Sequence, residues 1–269
     1  MPSVALTAAL RQEYERLFNA CAIRPERAHA VEAIILRLTA RKERYRTAGD
    51  ELGTPWFFVA VIHNMEASLN FGTHLHNGDP LTARTVLVPA GRPKSGMPPF
   101  TWEESASDAL SMKGLSAQTD WSLAGTLYQL ERYNGWGYRL YHPDVPSPYL
   151  WSFANHYRSG KYVADGTWSD TAVSKQCGAA VLLRRMAESG AIEFTDQPAP
   201  APDTAPLVVD HSTRKSRDPE IVTRVEALQR WLNTFPGIFV KIDGVPGNRT
   251  SDAYRVVTGA YLPGDERGE

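Results

Sequence analysis

Glu66 closes the apolar run WFFVAVIHNM, residues 56–65. A carboxyl drawn partly out of water resists ionising and keeps its proton near neutral pH. A general acid for glycosidic cleavage needs that property. Further along, Asp79 sits beside the dipeptide Asn77-Gly78 in a polar stretch. Solvated there, it stays ionised, suited to orienting a water or stabilising positive charge on a sugar. Thr85 lies six residues after Asp79 and offers a hydroxyl to the same water. The plainer alternative makes Glu66 a helix-end acid paired with a nearby base such as Arg84 or Arg92.

These side chains need a rigid support. Thr54-Pro55 reads as a helix start, with Thr as N-cap and Pro at the first position. The helix that follows is apolar on most faces, as a buried central helix is. The stretch Gly72 to Pro89 is polar and β-prone, and Asn77-Gly78 is a strong hairpin signal, so a β-hairpin carrying Asp79 is expected there. Helical apolar spacing also marks residues 3–20 and 25–47. The second ends in Arg41, Lys42, Arg44 and Arg46, read as a solvated face with cations near a helix C-terminus, or less simply as a wall-polymer contact. Thr101 and Glu104 form a capping box opening a helix over roughly 101–112. Further helices are expected near 119–132 and 170–189, the latter closed by Gly190.

Other side chains fit specific chemistry less well. His63, His74 and His76 with Asp79 lack metal-ligand spacing, so no metal and no cofactor are expected. Ser68, Ser105 and Ser107 have no nucleophile-elbow context. Glu103, Glu104 and Asp108 fall in the first turns of a helix, where acids favour the dipole. The aromatics Tyr133, Trp136, Tyr138, Tyr141, Tyr149 and Trp151 are interleaved with Gly and Pro, off helical spacing. They serve either to stack on sugar faces or to plug the surface core.

The chain has 269 residues, 29 basic and 30 acidic side chains and a net charge of −1. It lacks the broad basic face of nucleic-acid binders. Two cysteines, Cys21 and Cys177, exclude a disulfide scaffold and read as buried free thiols. No segment reaches the ~18 apolar residues that span a bilayer, and no secretory apolar region precedes Arg16. The expectation is a monomer, cytoplasmic on synthesis, that meets neither nucleic acid nor membrane.

Residues 196–210, DQPAPAPDTAPLVVD, carry four prolines, three acids and no base. Pro-Ala alternation favours extended polyproline II, a semi-rigid linker that lets its flanks move semi-independently. It separates residues 1–195, with 20 basic and 19 acidic side chains, from residues 211–269, with 9 and 8. The C-terminal part has Leu228-Gln229 and Leu232-Asn233, then Val240-Lys-Ile-Asp243-Gly244-Val-Pro-Gly247, then Thr250 and Ala253. This spacing implies a helix with apolar residues at i and i+4, a turn in which Gly244 and Gly247 suit positive φ, and a helix beginning near Thr250.

An apolar helix ending in Glu, followed by a stretch with Asp79 and Thr85 at D-x5-T spacing, resembles the lysozyme superfamily of the phage type. Glu66-Ala-Ser is similar to the Glu-Ser motif of goose-type lysozymes and lytic transglycosylases. Tyr133-Asn134-Gly135 resembles the Tyr-Asn motif those enzymes place near the catalytic Glu. The C-terminal pattern resembles the three-helix peptidoglycan-binding domain that accompanies wall hydrolases. The resemblance implies a modular endolysin: mainly α, with an α+β lysozyme-like domain bearing a small β-hairpin, plus a three-helix module. It implies a muramidase acting on bacterial peptidoglycan, or a related amino-sugar glycan, after release to the wall. Glu66, Asp79 and Thr85 would be catalytic; Tyr133, Asn134, Gly135 and Trp136, with Asp243 and Thr250 in the module, would bind substrate. A lytic transglycosylase, a chitinase-like glycosidase and a non-catalytic wall-binding protein are the alternatives. With net +1 on each folded part, wall affinity would come from the module's groove and vary little with salt.

Overall fold

The structure is a computed structural model that describes residues 4–164, 166–194, 208–235 and 237–268. Most of the 196–210 segment lies outside these residues. Among them the fold is mainly α, with eleven α-helices and one two-stranded antiparallel sheet. No helix of the described residues is long and apolar enough to cross a membrane.

Helix α4 (Trp56–Ala67) is the axis of the larger part. All nine residues from Phe57 to Met65 are buried. Each apolar side chain contributes ~1.5–3 kcal/mol by leaving water, so the helix has no freedom to slide. Around it lie α1 (Ala8–Asn19), α2 (Ala28–Thr39), α3 (Lys42–Gly49), α5 (Trp102–Met112), α6 (Leu123–Asn134) and α9 (Ala179–Glu188). Short helices α7 (Gly137–Tyr141) and α8 (Pro148–Trp151) follow α6 and lead into strands β1 (Lys161–Ala164) and β2 (Thr167–Ser169).

Local sequence rules account for several boundaries. Thr101 and Glu104 form the full reciprocal capping box of α5. Gly190, at φ 72°, closes α9 by donating to Ala187 O at 2.9 Å. The helical stretch 25–47 is broken at Ala40 and Arg41. Its basic run therefore begins a helix instead of ending one. Lys42 sits over the Trp56 ring, and Arg44 pairs with Glu103. The hairpin expected over 72–89 is instead a compact loop with one bridge, Thr73 to Pro80; the β-hairpin lies at 161–169. Thr54 does not cap α4, whose N-cap is Pro55.

A second core, from Val209 to Leu262, forms around α10 (Pro219–Leu232) and α11 (Asn248–Thr258), followed by a short 3-10 turn, Glu266–Gly268. Gln229 organises it. Fully buried, its side-chain NH2 donates to Asp243 Oδ1, Val245 O and Thr250 Oγ1 at 3.0–3.2 Å. Its Oε1 accepts from the amides of Asp243 and Gly244, both at 3.0 Å. Gly244 takes φ 72° as its turn requires, whereas Gly247 is an ordinary N-cap at φ −81°. Phe239 reaches from this part into the larger core, edge-on to Phe18 at 5.1 Å and beneath Arg184 at 5.0 Å. Arg249 donates to Ala187 O at the end of α9, 2.8 Å away.

Candidate active site

Glu66 lies in the last turn of α4, where the buried helix reaches the surface. The chain then turns through two left-handed non-glycine residues, Ser68 at φ 50° and Leu69 at φ 63°. Each such residue costs ~1–2 kcal/mol relative to ordinary backbone. Strain of this kind concentrates where the surroundings hold a functional group in place. The amide of Gln176 secures the helix end by donating to Met65 O at 2.8 Å.

Glu66 is exposed at the surface, and the protein packed around its carboxyl still withdraws part of its hydration. That desolvation raises its pKa. Two weaker effects pull the other way: the Tyr149 hydroxyl, donating to Oε1 at 2.8 Å, and the charge of Lys113. Both favour the carboxylate, and burial outweighs them. Tyr133 is the third neighbour. Its hydroxyl is pushed well above the usual phenol range by burial and by the Glu66 charge, and Lys113 sits over its ring at 4.5 Å. Glu66 from α4, Tyr133 from α6 and Tyr149 from α8 thus meet at one point.

A cleft of about 370 Å³ shares Tyr149 with this point and is lined by Asn134, Gly135, Tyr138, Lys161 and Tyr162, among others; Glu66 and Tyr133 are not in its lining. Gly135 ends α6 at φ 95°, a conformation few side chains tolerate, with open space where a Cβ would stand. Tyr138, Tyr162 and Trp168 pack edge to face at 5.2–5.7 Å and stiffen one wall. A carboxyl with a raised pKa beside an aromatic, amide-bearing cleft is suited to donating a proton to an oxygen held there.

Asp79 is engaged elsewhere. Its Oδ2 accepts from the amides of Val86 and Leu87 at 2.7 and 2.9 Å and from Asn77 Nδ2 at 3.1 Å. These bonds, led by the Leu87 amide, lower its pKa. Thr85 is buried; its hydroxyl donates to Pro89 O at 2.5 Å and accepts from Arg92 N at 2.9 Å. Both side chains therefore shape the 74–92 loop. Neither is among the groups that perturb Glu66. Arg84 and Arg92, the bases considered as partners of Glu66, bond elsewhere: Arg84 to Gly96 O, Arg92 to Asp108.

The histidines take separate partners. His63, buried, meets the Tyr45 hydroxyl at 3.2 Å, and burial drops its pKa to about 4. His74 bridges Ser105 and Ala83 O; His76 bonds Asp108 at 2.8 Å. They pin the loop to α5. Among the described residues no group of three or more such side chains is arranged to hold a metal.

The aromatic run divides. Trp136 and Trp151 are buried, Trp136 against Tyr128 at 5.1 Å, so Trp136 presents no face to a sugar. Tyr138 and Tyr149 line the cleft, while Tyr141 is exposed. Glu131 shows what a structural acid looks like: buried and bonded to both Tyr14 and Arg139, it has no open approach. In the C-terminal part, Asp243 and buried Thr250 hold Gln229 in place. The groove beside them, about 430 Å³, faces Arg185, Glu188 and Ser189 at the end of α9.

Sequence reasoning missed Lys113, Lys161, Tyr162 and Gln176. Each lies far from Glu66 along the chain, and no local pattern marks them. Compared with family models, curated proteins and solved structures, the chain matches none.

Proposed function

We propose that this chain cleaves the glycan strand of bacterial peptidoglycan at the β-1,4 bond between N-acetylmuramic acid and N-acetylglucosamine, with Glu66 as general acid. The observation that carries the reading is the raised pKa of Glu66 beside the tyrosine-lined cleft. Glu66 gives its proton to the glycosidic oxygen, the C1–O bond breaks, and positive charge develops on the muramic ring. The Tyr149 hydroxyl then stabilises the carboxylate left behind, because its bond strengthens as the negative charge forms.

Two routes complete the reaction. In the hydrolase route a water attacks C1 and its proton goes to a carboxylate. In the transglycosylase route the muramic C6 hydroxyl attacks C1, its proton returns to Glu66, and a 1,6-anhydro ring closes. The engagement of Asp79 and Thr85 in loop hydrogen bonds favours the second route. Purified sacculi incubated with the protein decide by product mass: anhydro ends are one water lighter than hydrolysed ends. If sacculi bind the protein and release no fragments, the chain is a wall-binding protein and the enzymatic reading fails.

A further inference from the structure

The three most exposed large apolar side chains among the described residues lie in the loop before α5: Val88 at 89%, Met97 at 81% and Val86 at 80%. Leu87, between the two valines, is also exposed, so Val86-Leu87-Val88 forms a contiguous apolar tip. Hydrogen bonds from within the loop hold this tip. The Asp79 carboxylate accepts from the Val86 and Leu87 amides, and Asn77 Nδ2 donates to Leu87 O at 2.9 Å. Thr85 N donates to Arg92 O at 2.8 Å and Gly91 N to Thr85 O at 2.7 Å, which closes the base. Pro89 has no N–H to satisfy. No carboxylate occurs from Pro80 to Trp102, a stretch that carries Arg84, Arg92 and Lys94. Arg92 pairs with Asp108, whereas exposed Lys94 is in no ion pair among the described residues. Its Nζ lies beside the base of the tip, 3.8 Å from where a Cβ on Gly91 would stand.

We propose that this tip docks, as a shallow anchor, on the surface of a lipid bilayer bearing anionic headgroups. Backbone enters hydrocarbon at high cost unless its polar groups are already bonded. The Val86 and Leu87 amides and the Leu87 carbonyl are satisfied from within the loop, so the side chains can enter without stranding them. The acid-free flank, with Lys94 at the base of the tip, matches lipid phosphates. Such charge pairing reinforces shallow apolar contacts at a membrane surface. A second copy or another protein fits less well: a stable protein interface takes roughly 20–30 residues a side, and the tip offers a handful. The contact is peripheral, since no helix of the described residues is long and apolar enough to cross a membrane. It departs from the expectation, drawn from composition, that the chain meets no membrane. It also gives Asp79 a role, because that carboxylate sets the tip by holding its two amides. The inference is independent of the glycan reading.

The test follows co-sedimentation of the full chain with vesicles of phosphatidylcholine alone and of phosphatidylcholine mixed with phosphatidylglycerol. Neither contains glycan, so the result stands apart from the enzymatic reading. The expected result is association with the mixed vesicles that weakens at least ~10-fold in the Val86→Ser/Leu87→Ser/Val88→Ser variant. All three side chains are exposed, so that variant keeps the wild-type melting temperature. Lys94→Gln weakens association by ~5-fold, and added salt weakens it further. A second readout places an environment-sensitive dye on Val88→Cys, Cys21 and Cys177 being buried. Its emission shifts to the blue on the mixed vesicles, whereas the same dye on Leu36→Cys, exposed on α2, does not shift. No association, equal association of the triple variant, equal binding to both kinds of vesicle, or a Val88 dye that stays in water overturns the proposal. So does a concentration-dependent dimer that the triple variant abolishes without any vesicle affinity, which would assign the tip to a second copy.

Discussion

Replacing Gln229 by Ala removes a buried side chain that ties the 243–250 loop to α10. The wild-type amide makes five hydrogen bonds there, three donated and two accepted, in a fully buried position. Its loss strands the Asp243 and Gly244 amides and leaves a void of side-chain size. A buried polar group left unsatisfied costs ~1–3 kcal/mol. Two stranded amides alone give ~2–6 kcal/mol, and water entering the void brings this to the lower half, ~2–4 kcal/mol. At ~1.4 kcal/mol per tenfold, amide exchange across residues 243–250 accelerates by ~30- to 1,000-fold. Hydrogen exchange followed by mass spectrometry reads this peptide directly. Gln229→Glu should do at least as much damage, since it sets a carboxylate against Asp243 Oδ1. Exchange within threefold of wild type in both variants would refute the view that Gln229 organises the loop.

If Glu66 is the general acid proposed above, glycan cleavage needs its protonated form and falls as pH climbs through its raised folded pKa; Tyr149→Phe, which removes a bond favouring the carboxylate, should then move this alkaline limb upward in a pH–rate profile. The same shift makes ionised Glu66 unfavourable to folding above its folded pKa. Glu66→Gln should therefore raise the melting temperature at neutral pH, with the gain vanishing once acid protonates Glu66 in both states. Gly178→Ala should destabilise the larger part by ~3 kcal/mol or more in denaturant titrations, because its Cβ would stand 2.3 Å from Leu150 O and 2.8 Å from Ser152 N. Asp79→Asn should leave cleavage within ~10-fold of wild type in the sacculus assay, since Asp79 holds loop amides; a loss of ~10²–10⁴, the range of a missing catalytic acid or base, would restore it as a catalytic residue.

Much of the fold was legible because its signals are local. The Thr101–Glu104 box, the Gly190 stop and the all-round apolar character of α4 each act within a few residues and needed no tertiary context. The hairpin was misplaced for the same reason. Asn77-Gly78 does turn, Gly78 taking φ 84°, but no paired strands flank it. His74, His76 and Asp108 tie that stretch to α5 instead of to a β partner. The site was legible in part. Glu66 and Tyr133 stand out by type and neighbours, and the fold brings them together. Asp79 and Thr85 were chosen by residue type, and type does not reveal that their oxygens already accept backbone amides. Trp136 likewise looked like a sugar platform until Tyr128 covered it. Tyr149, Gln176 and Lys113 converge on Glu66 and the end of its helix from three distant segments, which no single-sequence spacing encodes.

The most direct measurement is fragment release from purified sacculi by wild type and Glu66→Gln, side by side, with sacculus binding recorded for both. Gln keeps the shape of Glu66 and can still meet the Tyr149 hydroxyl, but it has no acidic proton to give. The account predicts that release falls by ~10²–10⁴ while binding is retained. Release by Glu66→Gln at a near wild-type rate would contradict it.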